Sequence, residues 1–375
     1  MVLSKVWGFG VLAAAALVAV SGCGGSGGTE TTGTTGGTTG SAPVTPAQIA
    51  KTSSGSSVEL TGAGSTFDQP LFAKAFYQYN KDHPDVSVNY QAIGSGGGIK
   101  QFTQGLVDFG ASDVPMNATE LKNAESAGGP VIQVPVALGA AAMGYNIPGV
   151  KSGLKLTPKA IADIYLGKVT KWNDPEIASE NKGVNLPSTS ITVVHRSDGS
   201  GTTYIFTDYL SKISPAWKSK VGVGKSVQWP AGVGGKGNSG VAGEITNTPG
   251  AIGYVELAYV LSSKMTDAVV QNKDGQYIAP SLDSASAAAA AFPKVSASQF
   301  SIVNASGAKC YPISGYSWLL IYQKQKDPTK GKALVDLMKW TVTSAQSSIA
   351  SGIGYAPLPQ NVQQLATSLL GQVQV

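Results

Sequence analysis

The sequence predicts an α/β fold divided into two lobes, on three observations. Short apolar segments rich in Val, Ile and Ala are each followed by a Gly turn and then a helical pattern, the alternation expected of βαβ units and helix-covered sheets. The residues after position 57, 375 less 57 or 318, are too many for one typical core and suit two. Gly-rich turns recur where a strand runs into a helix, the place at which open α/β sheets bind ligands and at which unpaired helix N–H groups attract anions.

The first 22 residues read as an address. After Met-Val-Leu-Ser-Lys comes an uncharged apolar run from Val6 to Val20, closed by Ser21 and Gly22. A bilayer span takes about 20 apolar residues, so this shorter run is expected to be a signal peptide. Val20-Ser21-Gly22-Cys23 resembles the lipobox of bacterial lipoproteins. That resemblance makes Cys23 the acylated first residue of a mature chain anchored to a membrane. The alternative is a cysteine that happens to lie beside an ordinary cleavage site. Residues 23–57 are dominated by Gly, Thr and Ser and carry one Glu30 and one Lys51. No core can form from such a segment, and it is expected to be a flexible tether with a reach of roughly 30 Å.

The structured part opens with a strand from Val58 to Gly62 and a helix near Pro70 to Asn80. A strand from Val86 to Ile93 then leads to a helix near Gly97 to Gly105, and Val107 to Ala111 precedes a helix over Ala118 to Ala127. Later, the β-branched Val193-Val194 strand enters a helix running to about Leu210, and Ala287 to Ala291 lies in a further helix.

Composition excludes several functions. The formal charge is 27 minus 22, or +5, and falls to +4 without Lys5. The lysines are scattered singly, so no nucleic-acid surface is indicated. Only His83 and His195 are available as imidazole ligands, with no short-range carboxylate cluster near either, so neither a metal site nor any other cofactor is expected. His83, between Asp82 and Pro84, reads as a surface turn residue. Cys310 stands 287 positions from Cys23 and is expected to be a buried small apolar residue rather than a disulfide partner. Gly224-Lys225-Ser226 has the tail of a phosphate-binding P-loop, but Ser219 stands where its first glycine must be. Gly234-Gly235-Lys236-Gly237 lacks the Ser or Thr that must follow the lysine. Trp172, Trp217, Trp229, Trp318 and Trp340 sit in mixed apolar contexts and are assigned to core packing.

Four turns carry candidate chemistry. In Thr61-Gly62-Ala63-Gly64-Ser65-Thr66-Phe67 the glycines permit close backbone approach, and Thr66 can add a hydroxyl to the N–H groups of Thr66 and Phe67. The same string is also ordinary turn chemistry. In Gly94-Ser95-Gly96-Gly97-Gly98, Ser95 is placed either to cap the helix or to meet a ligand. Val107-Asp108-Phe109-Gly110-Ala111-Ser112-Asp113 brings Asp113 to the end of a strand, where it could equally cap the next helix. The fourth turn, His195-Arg196-Ser197-Asp198-Gly199-Ser200-Gly201-Thr202-Thr203, is the strongest. Arg196 can make a two-pronged charged contact with an oxyanion, Asp198 can hold its guanidinium, and Ser200, Gly201 and Thr202 offer donors from a helix start. The Arg196–Asp198 pair could also be a plain surface ion pair.

The strings TGAGSTF, IGSGGG, VDFGASD, HRSDGSGT, QWPAGVGGKGNSGVAG and PGAIGYVE, in this order, resemble the periplasmic phosphate-binding subunit of the high-affinity ABC phosphate importer over nearly all of Val58 to Val375. The resemblance implies a two-lobed periplasmic-binding-protein fold, each lobe a mixed sheet flanked by helices, with the ligand in the interlobe cleft. It implies that Thr66, Phe67, Ser95, Asp113, Arg196, Ser200, Gly201 and Thr202 bind inorganic phosphate and that Asp198 orients Arg196. His195 departs from the pattern, since an arginine often stands there. The lobes are expected at 58–137 plus 311–375 and at 138–310, with crossovers near Pro135 to Gly139 and Asn304 to Ile313. The expected protein is a monomeric, lipid-anchored receptor outside the cytoplasm that hands phosphate to membrane permease subunits and catalyses nothing.

Asp113 is the informative residue of that set. A carboxylate repels an oxyanion unless the anion carries a proton to donate, which phosphate does near neutral pH and sulfate does not. A site built on an obligatory hydrogen bond rejects an analogue lacking it by about 10⁴ to 10⁵. The competing readings are a receptor for sulfate or molybdate, which Asp113 argues against, and a phosphate-releasing hydrolase. A dedicated phosphate sensor would use the same cleft.

Overall fold

The computed structural model describes residues 57–375; the expected signal peptide, Cys23 and all but the last residue of the tether lie outside them. Eleven strands occur among the described residues: β1 (Val58–Gly64), β2 (Val86–Ala92), β3 (Phe109–Ser112), β4 (Val131–Tyr145), β5 (Leu154–Leu156), β6 (Thr192–Arg196), β7 (Val233–Gly235), β8 (Ala251–Glu256), β9 (Thr266–Gln271), β10 (Tyr277–Ile278) and β11 (Ser314–Tyr322). Their main order is β2-β1-β3-β11-β4-β8-β6-β7, with β9 against the end of β4 and flanked by β5 and β10.

β4 joins two sheets. Its residues 131–140 pair antiparallel with β11, and β11 pairs antiparallel with β3 beside the parallel β1 and β2. Residues 141–145 pair with β8, which leads to the parallel β6 and β7. The Pro135-to-Gly139 segment, expected as a crossover, is thus the middle of one continuous strand. Pro135 is tolerated because the register shifts opposite Ser317 and Trp318, and a bulge needs no N–H at that point. Gly139 is required by crowding, since a Cβ there would lie 2.7 Å from the Phe67 ring and 3.2 Å from Glu256 Oε1.

Helices cover the sheets. The helix Gln69–Asp82 buries Leu71, Phe72, Ala75, Phe76 and Tyr79, a stripe at helical spacing. Phe72 and Phe76 stack at 4.8 Å and meet Phe109 edge-on, and each fully buried ring contributes about 2 kcal/mol. Around β6 and β8, Tyr165, Phe206, Trp229 and Tyr254 form a second aromatic cluster. Trp172, Trp217 and Trp318 are buried, Trp229 and Trp340 pack partly buried against the core, and Cys310 is buried with a free thiol. Ala287 to Ala290 lie in the helix Leu282–Ala290. No helix among the described residues is long and apolar enough to cross a membrane.

At two helix starts the cap is not the residue that the turn suggested, for local reasons. The helix Ser95–Thr103 starts two residues early, because Gly94 holds the flanking position at φ 84°, which favours glycine. Ser95 is therefore the first helical residue and not its cap. Asp113 caps nothing either: the helix Ala118–Gly128 is capped by Asn117, whose side chain accepts from Glu120 N–H while Glu120 accepts from Asn117 N–H.

Candidate anion-binding site

All four turns meet at one place, beyond the carboxyl ends of β1, β2, β3 and β6. Gly201 N–H donates to Ser95 Oγ at 3.0 Å, and Asp113 N–H donates to the same oxygen at 3.2 Å. Thr202 Oγ1 donates to Asp113 Oδ2 at 3.1 Å. Thr66 Oγ1 accepts from Asn238 N–H and Nδ2 at 3.1 and 3.0 Å. Gly201 must be glycine, since a Cβ there would come within 2.5 Å of Asp113 Cβ and 2.7 Å of Ser95 Oγ. Thr66, Phe67, Ser95, Asp113, Arg196, Ser200 and Thr202 are all buried.

Arg196 ends β6 with its side chain 1% exposed, so its pairing with Asp198 is not a surface ion pair. Nε and Nη2 donate to Asp198 Oδ1 and Oδ2 at 2.7 and 2.5 Å, a two-pronged contact that fixes the plane of the guanidinium. Asp198 Oδ1 also accepts from Gly237 N–H at 3.0 Å. Burial pushes the Asp198 carboxyl up, but the hydrogen bonds and charge of Arg196 with the Gly237 N–H hold it below its ordinary range. Nη1 is buried without a partner, a charged donor left unspent. The Arg196 N–H donates to Tyr254 Oη at 3.0 Å, which anchors the backbone beneath it.

The remaining donors follow from counting protons. Ser95 Oγ and Thr66 Oγ1 each accept two N–H bonds, so each still has its own hydroxyl proton to give. Ser200 Oγ caps the helix Gly201–Ile213 by accepting from Thr203 N–H and keeps its proton too. Phe67 N–H, expected to face the ligand, donates to Ser65 Oγ at 2.9 Å, and Gly201 N–H is held by Ser95.

Asp113 is the acceptor among these donors. Its Oδ1 accepts from Ser65 Oγ and from Ser317 Oγ, the latter at 3.0 Å, leaving Oδ2 to Thr202 and one further donor. Burial raises its carboxyl, while Ser65, Ser317, the Arg196 charge and Thr202 pull it back.

Sequence reasoning missed Ser65, Asn238 and Ser317 as members of the site. Asn238 sits in the Gly-rich string at the start of the helix Gly237–Asn247, and Ser65 in the first turn, so both had a local signal. Ser317 lies in an apolar strand and had none. His195 stacks on Trp229 at 4.8 Å and donates Nδ1–H to its neighbour's carbonyl oxygen at 3.1 Å, and burial lowers its pKa. It is a neutral ring that adds no charge beside Arg196. His83 ends the helix Gln69–Asp82 stacked on Tyr79 at 4.3 Å. No group of three or more His, Cys, Asp or Glu that could hold a metal occurs among the described residues.

Two sheets bridged by one long strand, with donors from both converging on the buried Asp113 carboxylate and Arg196 guanidinium, define the class of two-lobed binding proteins. A family profile described as PBP superfamily domain matches residues 29–345. The chain is 45% identical over 309 residues to the "Phosphate-binding protein PstS" of Xylella fastidiosa, covering 82% of this chain and 83% of that one. It is 44% identical to the protein of the same name from Pasteurella multocida, over 81% and 88% of the two chains. A solved structure of a high-affinity periplasmic phosphate-binding protein (PfluDING) bound with phosphate shares the fold, with a TM-score of 0.67 at 22% identity, over 83% of this chain and 93% of that one. The chain belongs to the PstS family of phosphate-binding proteins within that superfamily.

Proposed function

We propose that this protein binds inorganic phosphate in the cleft where the four turns meet and delivers it to an ABC importer, without chemical change. The observation that carries the reading is the pairing of one buried guanidinium, with Nη1 unspent, and one buried carboxylate with an acceptor position open. An oxyanion in the cleft would receive Arg196 Nη1–H and the hydroxyl protons of Thr66, Ser95 and Ser200, and would return a proton to Asp113 Oδ2. Thr202 steadies Asp113, and Asp198 holds Arg196. Phe67 and Gly201 would contribute N–H groups once the ligand displaces Ser65 and Ser95 as their acceptors. Only an anion that keeps a proton satisfies this arrangement, which favours phosphate over sulfate.

The lobes of this reading are 58–137 with 311–375, and 138–310, and they close on the ligand. Cys23 would carry the lipid, holding a monomer on the outer side of a membrane within reach of the permease subunits. Calorimetry of the protein with phosphate and with sulfate in one buffer tests the reading: tight, saturable phosphate binding with sulfate at least about 10³-fold weaker is expected. Equal affinity for the two ions would overturn it, and so would release of phosphate from an ester on prolonged incubation.

A further inference from the structure

Behind Asp113 lies a second carboxylate that the site as described does not use. Asp68 is fully buried at the start of the helix Gln69–Asp82, yet its side chain caps no N–H group there. It turns instead to Ser317 Oγ, 2.6 Å from Asp68 Oδ2, and the same hydroxyl lies 3.0 Å from Asp113 Oδ1. Asp68 Oδ1 has no partner.

A serine hydroxyl has one proton and cannot satisfy two carboxylates. With both acids ionised, one of the two contacts would be oxygen against oxygen with nothing between, in a dry interior where such a contact is costly. One added proton resolves the chain. It can reside on either acid, and the surroundings choose. Asp113 accepts from Ser65 and Thr202 and feels the Arg196 charge, all of which favour its ionised form. The groups around Asp68 are Asp113, and more distantly Tyr90 from β2, Glu256 from β8, Tyr259 and Tyr355, none of them cationic.

We propose that Asp68 is a positioning residue that carries this proton: as the neutral acid it donates to Ser317 Oγ, and Ser317 in turn donates to Asp113 Oδ1, holding Asp113 as the ionised acceptor of the ligand's proton. Burial first, and then the charge of Asp113, push the Asp68 carboxyl well above its ordinary range, in keeping with the assignment. When Asp68 ionises at alkaline pH, the nearer Ser317 proton is drawn back to it, Asp113 loses a donor, and a second negative charge stands behind the anion. A bound anion raises the Asp68 pKa further. Affinity therefore falls about tenfold per pH unit between the free and the bound pKa.

The proposal rests on the phosphate reading above, so its test has one arm that needs no ligand. Carbon-13 labelling of aspartate carboxyls in the ligand-free protein should show a buried carboxyl still protonated at neutral pH, which disappears in Asp68→Asn. The amide of that variant keeps a donor toward Ser317 and never ionises. Its phosphate affinity should match the wild type within about threefold at neutral pH and exceed it by about tenfold or more at the alkaline end of the titration. If Asp68→Asn does not fold, Ser317→Ala serves: it should shift only two buried aspartate signals, those of Asp68 and Asp113. A ligand-free protein with no protonated aspartate at neutral pH overturns the proposal, as do superimposable phosphate pH profiles for the wild type and Asp68→Asn. Absence of phosphate binding at any pH would instead sink the underlying reading, whatever the carboxyl signals show.

Discussion

Gly96 N–H donates to the Gly199 carbonyl oxygen at 2.8 Å, backbone to backbone, joining the turn after β2 to the turn after β6 across the cleft. A Cβ on Gly96 would sit 3.2 Å from Gly199 Cα and 3.4 Å from its oxygen, so the branched side chain of valine crowds the Gly199 backbone as long as the two turns stay joined. Gly96→Val should cost nothing in an open form and burden the closed form alone. Ligand stabilises closure only by its differential affinity, so phosphate affinity should drop about tenfold or more. Thermal unfolding of the ligand-free variant should stay within a few degrees of wild type, and a matching loss in both measurements would place the glycine's role in folding instead.

Arg196→Lys tests the guanidinium. Lysine keeps the charge but cannot hold both Asp198 oxygens and still present a third donor, as Nε, Nη2 and Nη1 do together. Losing one buried charged hydrogen bond is worth about 3 kcal/mol, more than a hundredfold in phosphate affinity by calorimetry. An affinity within tenfold of wild type would mean that charge alone suffices.

Asp113→Asn should weaken discrimination against sulfate more than it weakens phosphate binding, because the amide can offer sulfate an N–H in place of a repelling carboxylate. Competition titrations of both ions against the variant measure this directly. Sulfate competing as poorly as before would contradict it.

Glu256, buried between β8 and the helix Leu257–Ser263, gives Oε2 to the Ala258 N–H at 2.8 Å and leaves Oε1 unpartnered. Burial raises its carboxyl well above the ordinary range, more than the Ala258 N–H and Tyr355 lower it. A raised acid stabilises the fold most at low pH, and that contribution is lost as pH climbs from the unfolded value of about 4.3 through the folded one. Glu256→Gln lacks the loss, so its melting temperature should match wild type near pH 4 and overtake it toward neutral pH. Calorimetric scans over that range would refute the assignment if the two curves stay parallel.

Much of this site can be read in the sequence, because its groups sit on short turns whose Gly, Ser, Thr and Asp residues announce themselves. Arg196 and Asp198 are two residues apart, and the helix start at Gly201 supplies the rest. Ser317 and Asp68 could not be read, since their contact spans 249 positions and one of them lies in a strand buried along nearly its whole length. Asp68 even stands where an N-cap is expected and does not act as one. The crossover expected near Pro135 to Gly139 lies inside a single strand, which pairs with β11 up to Ala140 and with β8 from Ala141, and local pattern does not show that continuity. Register is a property of partners, and partners are distant in the chain.

The bidentate grip of Asp198 on Arg196 also bears on how the cleft meets a charged solute. The guanidinium's charge is already matched, and Asp113 adds a further negative one, so these three groups together offer an approaching anion no net attraction. Capture depends on short-range dipoles met only after entry. So far as these three groups govern it, the rate of encounter should change little between dilute and saline media.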